Sequence, residues 1–227
     1  MTRHHADQVT IAVKDEVKVS GLMAAPPGAR ACYVMAHGAG AGMTHPFMEA
    51  MAGGLADRGI ASLRYQFPFM ELGSRRPDAP ALAQATVRAA VAKAGELAGI
   101  ALIAGGKSFG GRMTSQAQAE APLPGVRGLV FLGFPLHPAG KPSEQRGQHL
   151  FSIELPMLFL QGSRDQLADL SLLRPLVKRL GQSAVLQVFP EADHSFHVPA
   201  RSGGNDADIR DRIADSIAAW AEDICRS

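Results

Sequence analysis

The sequence predicts an α/β fold, a mostly parallel central sheet with helices on both faces. Three observations carry that prediction. Apolar, strand-like runs alternate with helical patterns along most of the chain. Some runs, such as Ala31–Ala36, are apolar throughout, as strands covered on both faces are. The 227 residues suffice to bury one large core, so a single domain over 1–227 is expected.

Residues 9–13 and 17–23 read as an opening hairpin with Lys14, Asp15 and Glu16 as its turn. Pro26, Pro27 and Gly28 then break the chain. After the run Ala31–Ala36, a helix is expected to begin near Thr44 to Pro46, since proline suits a first turn. Phe47, Met51 and Leu55 follow at helical spacing. Ile60–Tyr65 is the next strand, and residues 66–80 read as a long loop rich in Pro and Arg. The Ala-rich stretch 81–97 is helical despite Gly95. Residues 100–104 form a strand and 108–120 a helix. Val126–Leu132, 157–161 and 185–189 are three more strands. Residues 169–180 are helical around Pro175. Asn205 or Asp206 caps a last helix, whose apolar face holds Ile209, Ile213, Ile217, Trp220 and Ile224.

Composition excludes several classes. A net charge of +2 gives no field for nucleic acid or an anionic membrane. No apolar run is long enough to span a bilayer, and residues 1–7 lack a signal-peptide core, so a cytoplasmic protein is expected. The two cysteines, Cys32 and Cys225, lie far apart, fit a reducing compartment and give no metal spacing. Cys32 belongs to an apolar strand and reads as a core residue.

Chemistry concentrates at the carboxyl ends of the strands, where ligands of such sheets bind. Gly106-Lys107-Ser108-Phe109-Gly110 follows an apolar run and opens a helix, which is the pattern of a nucleophile elbow. Its sharp turn exposes Ser108 and has no room for side chains two residues to either side. Two other readings compete. A phosphate loop needs a glycine where Ala101 stands. An ordinary Gly-rich turn leaves the strand–turn–helix context unexplained.

A serine hydroxyl needs a general base, and the base needs a carboxylate to fix its tautomer. Asp165 follows the strand at 157–161, and His194 follows the strand at 185–189. Together with Ser108 they give the chain order Ser, Asp, His. His197 is the nearest rival base, while His4, His5, His137 and His149 are more remote; Asp169 and Asp193 are rival acids. Oxyanion donors are expected from the N–H groups of Phe109 and, in the loop His37-Gly-Ala-Gly-Ala-Gly42, of Ala39, with Gly38 and Gly40 as near alternatives. A dinucleotide fingerprint is excluded there because Met43 stands where the third glycine belongs. Gly38, Gly40, Phe67 and Phe134 are candidate substrate contacts, with Phe69, Met70 and Leu136 as further wall candidates; core packing is the competing role of these apolar side chains. Arg64, Arg75 and Arg76 are candidates for an anionic substrate group or for solvated loop charge. Lys107 is expected to pin the elbow or its neighbouring loop, and His45 to orient the oxyanion loop.

With these residues assembled, the chain resembles the α/β-hydrolase superfamily over nearly its whole length. The strings His37-Gly-Ala-Gly-Ala, Gly106-Lys-Ser-Phe-Gly-Gly-Arg112 and Ala192-Asp-His-Ser-Phe are similar to those of small dienelactone-hydrolase-like bacterial proteins. The resemblance implies an α/β-hydrolase fold, a Ser108, Asp165 and His194 triad, and esterase-type chemistry. Dienelactone hydrolases proper use a cysteine nucleophile, so Ser108 argues against that substrate. Only about 24 residues separate Leu132 from Pro156, too few for a large helical lid. The expected activity is that of a carboxylesterase or thioesterase working through an acyl-enzyme. Its expected partner is a small-molecule acyl substrate, with no cofactor, metal, nucleic acid or membrane; a homodimer is left open. The alternative is a hydrolase-like scaffold that binds a partner without catalysis.

Overall fold

The computed structural model describes residues 4–14, 16–200 and 203–226, so Asp15 of the expected turn lies outside the described residues. The chain opens with an antiparallel pair, β1 (Asp7–Lys14) and β2 (Val17–Ala24). Then come β3 (Ala31–Ala36), α1 (Pro46–Ala56), β4 (Ile60–Tyr65), α2 (Pro68–Glu71) and α3 (Pro80–Ala98). The second half holds β5 (Leu102–Lys107), α4 (Phe109–Glu120), β6 (Val126–Leu132), β7 (Met157–Gly162), α5 (Leu170–Leu180), β8 (Ala184–Phe189) and α6 (Asp206–Arg226). Eight strands pair in the order β1-β2-β4-β3-β5-β6-β7-β8. The sheet is parallel from β4 through β8, and β2 joins β4 antiparallel.

Strand period sorts β3 onto two cores. Cys32, Val34 and Ala36 face a cluster with Val87, Val91 and Met113 of α3 and α4. Ala31, Tyr33 and Met35 face the opposite cluster, with Met51 and Leu55 of α1 and Ile213 and Ile217 of α6. Helices therefore cover both faces, which is why the strand is apolar throughout. Burial at this strand also pushes the Cys32 thiol up to about 12, so it stays an inert core group.

Two boundaries differ from expectation. The strand expected at 100–104 runs as β5 to Lys107, because Gly105 and Gly106 stay in register between Met35 and Ala36 of β3 and Val130 and Phe131 of β6. The 66–80 stretch is not all loop: Pro68 starts the one-turn helix α2. Helix α5 tolerates Pro175 because that proline and Ser171, one turn earlier, both lie on the exposed face, so the Ser171 carbonyl that loses its donor is not buried. Asn205 caps α6, its Oδ1 accepting from the Asp208 N–H at 2.8 Å. Asp206 instead accepts from the N–H of Val198 at 3.0 Å and from His197 Nδ1 at 2.9 Å, tying α6 to the loop after β8.

Between β6 and β7 the chain forms a 3₁₀ segment, Gln145–Ser152, whose Gly147 and Leu150 are buried. It packs beside α4 and α5, and among the described residues no large lid covers the strand ends. Among the described residues, no helix is long and apolar enough to cross a membrane.

Candidate active site

Strand order reverses at β3, which lies between β4 and β5. The crevice at such a switch point is where doubly wound sheets place ligands. The loops leaving β3 and β5 meet there. Ser108 ends the elbow at φ 50 and ψ −115, a conformation that side chains with a β-carbon rarely hold. Its N–H donates to the Leu132 carbonyl at 3.1 Å, and its own carbonyl accepts from the Arg112 N–H at 3.1 Å. The turn is thus fixed from both β6 and α4. A Cβ on Gly106 would stand 2.1 Å from the Ala36 carbonyl oxygen, and one on Gly110 would stand 2.5 Å from that of His37. Both glycines of the motif are therefore required by the close approach of β3.

The elbow aims Ser108 at the loop after β8. His194 Nε2 lies 2.8 Å from Ser108 Oγ. His194 Nδ1 lies 2.7 Å from Asp165 Oδ2. The side chain of Asp165 is fully buried, whereas that of His194 retains 25% exposure. Because an ionised carboxylate only accepts, Nδ1 carries the proton and Nε2 is left to accept from the serine. Asp165 Oδ1 also accepts from the Leu167 N–H at 2.8 Å, and Gln161 Nε2 donates to Oδ2. Gln161 Oε1 accepts from the Phe134 N–H at 2.9 Å. The sequence reading missed Gln161. Its signal was a lone amide in the buried strand β7, which needs partners for both ends.

The rival groups have other work. Asp169 Oδ1 caps α5 through the Ser171 N–H at 2.8 Å. Asp193 Oδ1 accepts from the N–H groups of Ser195 at 2.7 Å and His197 at 3.0 Å, fixing the turn that presents His194. His197 pairs with Asp206, and His137 Nε2 accepts from the Asp169 N–H at 2.8 Å. His149 faces Ser115 Oγ at 2.8 Å.

The peptide between Gly38 and Ala39 has a fixed orientation. His37 Nε2 accepts from the Phe67 N–H at 3.0 Å, so Nδ1 carries the proton and donates to the Gly38 carbonyl at 2.7 Å. In a trans peptide the following N–H points opposite to that carbonyl. Ala39 N–H is thereby turned away from His37, and Ala39 lines the cleft beside Ser108. Phe109 is the first residue of α4, so its N–H has no intrahelical partner. Farther along the loop, Gln66 Oε1 accepts from the Met43 N–H at 2.8 Å, and Arg64 donates to the Met43 carbonyl at 2.9 Å. Arg64 is therefore a buried loop clamp and does not reach for substrate. Arg75 and Arg76 are exposed on the loop after α2. His45 Nδ1 caps α1 through the Phe47 N–H at 3.2 Å and also lines the cleft.

The cleft measures about 330 Å³. Gly38, Ala39, Gly40 and Ala41, the apolar Phe47 and Met48, and Ser108, His194 and Ser195 line it. The expectation that Phe67 and Phe134 contact substrate is corrected. Phe67 is fully buried and packs edge-on against His37 and Phe109. Phe134 sits in the core against Phe131 and Phe159. Phe69 and Leu136 are likewise buried in that core. Phe47, stacked on Phe196 at 5.8 Å, supplies the wall instead. Among the described residues, no group of three or more His, Cys, Asp or Glu side chains is placed to hold a metal ion.

Burial lowers His37 and His149 to about 4, so both are neutral in the folded protein. The unfolded chain, with ordinary histidines near 6.5, binds more protons than the native state between these values. Stability is therefore expected to fall as pH drops from about 6.5 towards 4, and the melting temperature followed across that interval checks it. A His37→Gln, His149→Gln double variant should show a flatter dependence.

The sheet order and the place of the elbow in it define the class of protein as an α/β hydrolase. Residues 29–222 match the family model described as an alpha/beta hydrolase domain, and the chain belongs to that family. Its structure is similar to that of dienelactone hydrolase from Anabaena variabilis ATCC 29413, with a TM-score of 0.78 at 21% identity, covering 99% of this chain and 100% of that one. It is also similar to XC6422 from Xanthomonas campestris, an α/β serine hydrolase without a lid, with a TM-score of 0.73 at 19% identity and 97% of both chains covered. Est1E from Butyrivibrio proteoclasticus matches with a TM-score of 0.66 at 15% identity, covering 93% of this chain and 99% of that one. At these identities the likeness establishes the fold.

Proposed function

We propose that the protein is a serine hydrolase cleaving carboxylic esters or thioesters of small acyl groups through an acyl-enzyme. The observation that carries this reading is the unbroken chain from Ser108 Oγ to His194 at 2.8 Å and from His194 to Asp165 at 2.7 Å. Ser108 Oγ attacks the acyl carbon while His194 Nε2 takes its proton. The carbonyl oxygen gains negative charge between the N–H groups of Ala39 and Phe109. As the tetrahedral carbon collapses, the bond to the alcohol or thiol breaks and His194 returns the proton to that leaving group. A water then attacks the Ser108 ester, again with His194 as base, releasing the acid and free enzyme. Asp165 stays ionised and stabilises the imidazolium in both halves.

Acyl size follows from the cleft. Phe47 and Met48 give a short apolar wall, and no lid extends it. Structural neighbours named as an esterase domain from Rhodothermus marinus and as Est1E with ferulic acid bound support the choice of esters as first substrates. The test is a p-nitrophenyl ester series with Ser108→Ala as control. Acetate and butyrate are expected to give kcat/KM at least tenfold above laurate. A maximum at long chains contradicts the small-acyl assignment. Well-folded protein that neither turns over esters nor reacts with a fluorophosphonate supports a scaffold instead.

A further inference from the structure

Lys107 adjoins the nucleophile, yet no step of acyl transfer uses it. Its stem passes beneath the oxyanion loop, where a Cβ on Gly38 would stand 3.7 Å from Lys107 Cγ. Its Nζ donates to the main-chain carbonyl of His194 at 2.5 Å and lies 5.5 Å from the Phe196 ring centroid. Phe196 holds a left-handed φ of 63, so the turn after the base needs outside support. A Cβ on Gly133 would meet Lys107 Nζ at 3.1 Å and His194 Nδ1 at 3.4 Å, so ammonium and imidazole flank one notch at the end of β6.

We propose that Lys107 is a charged positioning residue for the base, its ammonium tying the loop that carries His194 to the strand that delivers Ser108. The proposal rests on the serine-hydrolase reading above. A charged donor holds a carbonyl more strongly than a neutral amine, and only the cation is attracted to the Phe196 face. The charged groups facing Lys107 are the carboxylates of Asp165 and Asp193. They favour the ammonium, but burial outweighs them and lowers Lys107 to about 8. The tie therefore slackens as pH rises through about 8.

The experiment measures fluorophosphonate acylation of Ser108 from pH 6 to 10 in the wild type, Lys107→Met and Lys107→Arg. It also follows the backbone amide resonance of Ser195, whose peptide carries the accepting carbonyl. The wild type is expected to lose acylation rate above pH about 8. Lys107→Met is expected to react about 10- to 100-fold more slowly with no alkaline limb, since small misplacements of a catalytic group cost rate on that scale. Lys107→Arg, which keeps its charge, should retain rate at alkaline pH. The Ser195 amide should titrate near pH 8 in the wild type and in neither variant. A folded Lys107→Met acylating within twofold of the wild type overturns the proposal. So does a wild-type Ser195 amide that fails to titrate between pH 7 and 9, a result that stands even where a variant does not fold. A wild type that never labels at any pH, with the Ser195 amide still titrating, refutes the hydrolase reading and leaves the tie in place.

Discussion

Ser108→Ala is expected to lower kcat for p-nitrophenyl acetate by about 10⁴- to 10⁶-fold, the range seen when a serine nucleophile is removed and only binding and oxyanion donors remain. Mass spectrometry should show no fluorophosphonate adduct on the variant. The fold should survive, because alanine fits within the space of serine and the elbow bonds to the Leu132 carbonyl and from the Arg112 N–H are main-chain bonds. A companion variant separates chemistry from strain. Ser108 sits at φ 50 and ψ −115, and such conformations cost about 1–3 kcal/mol in residues with a β-carbon. Ser108→Gly should therefore melt higher than the wild type while being equally inactive. Retention of more than a tenth of wild-type turnover in either variant would place the nucleophile elsewhere.

Gly106→Ala is expected to remove the folded protein from solution. The added methyl would stand 2.1 Å from the carbonyl oxygen and 2.7 Å from the nitrogen of Ala36, on a backbone at φ 143. Those atoms belong to β3 in the middle of the sheet and cannot swing aside as a flexible side chain would. The cost should exceed about 4 kcal/mol, a large part of the 5–15 kcal/mol that stabilises an ordinary domain. Soluble yield and urea denaturation measure it. Gly40→Ala is the control, since a Cβ there would meet nothing within 4 Å, and its stability should stay within about 0.5 kcal/mol of the wild type. Equal stabilities for the two variants would refute the steric account of the motif.

The parts of the site legible in the sequence are those whose causes are local. Ser108 was readable because the elbow packs strand, turn and helix into a few residues, with glycines forced by β3. Asp165 and His194 were readable because each follows a strand of a sheet whose alternation was plain. What escaped depends on how distant segments meet. Phe47 and Met48 reach the cleft because His45 caps α1 and sets the helix's angle of entry. Phe67 reads as a wall in the sequence, yet it turns inward to Tyr65, Phe69 and Phe109. Gln161 is an amide whose meaning appears only when Asp165 folds back beside it. The end of β5 was placed early because glycines read as strand breakers, whereas here they let three strands close ranks.

Helix α6 bears on how the enzyme comes into being. Asp206 holds the turn at His197 and Val198, and Ile209, Ile213 and Ile217 complete the packing around Phe196 and Val198. The support beneath the base thus comes from the last described element of the chain, while Ser108 and its elbow lie near the midpoint. Synthesis proceeds from the N-terminus. On the proposed reading, a growing polypeptide therefore carries Ser108 well before it can hold His194 in place, and the pair forms only once α6 has been made and packed.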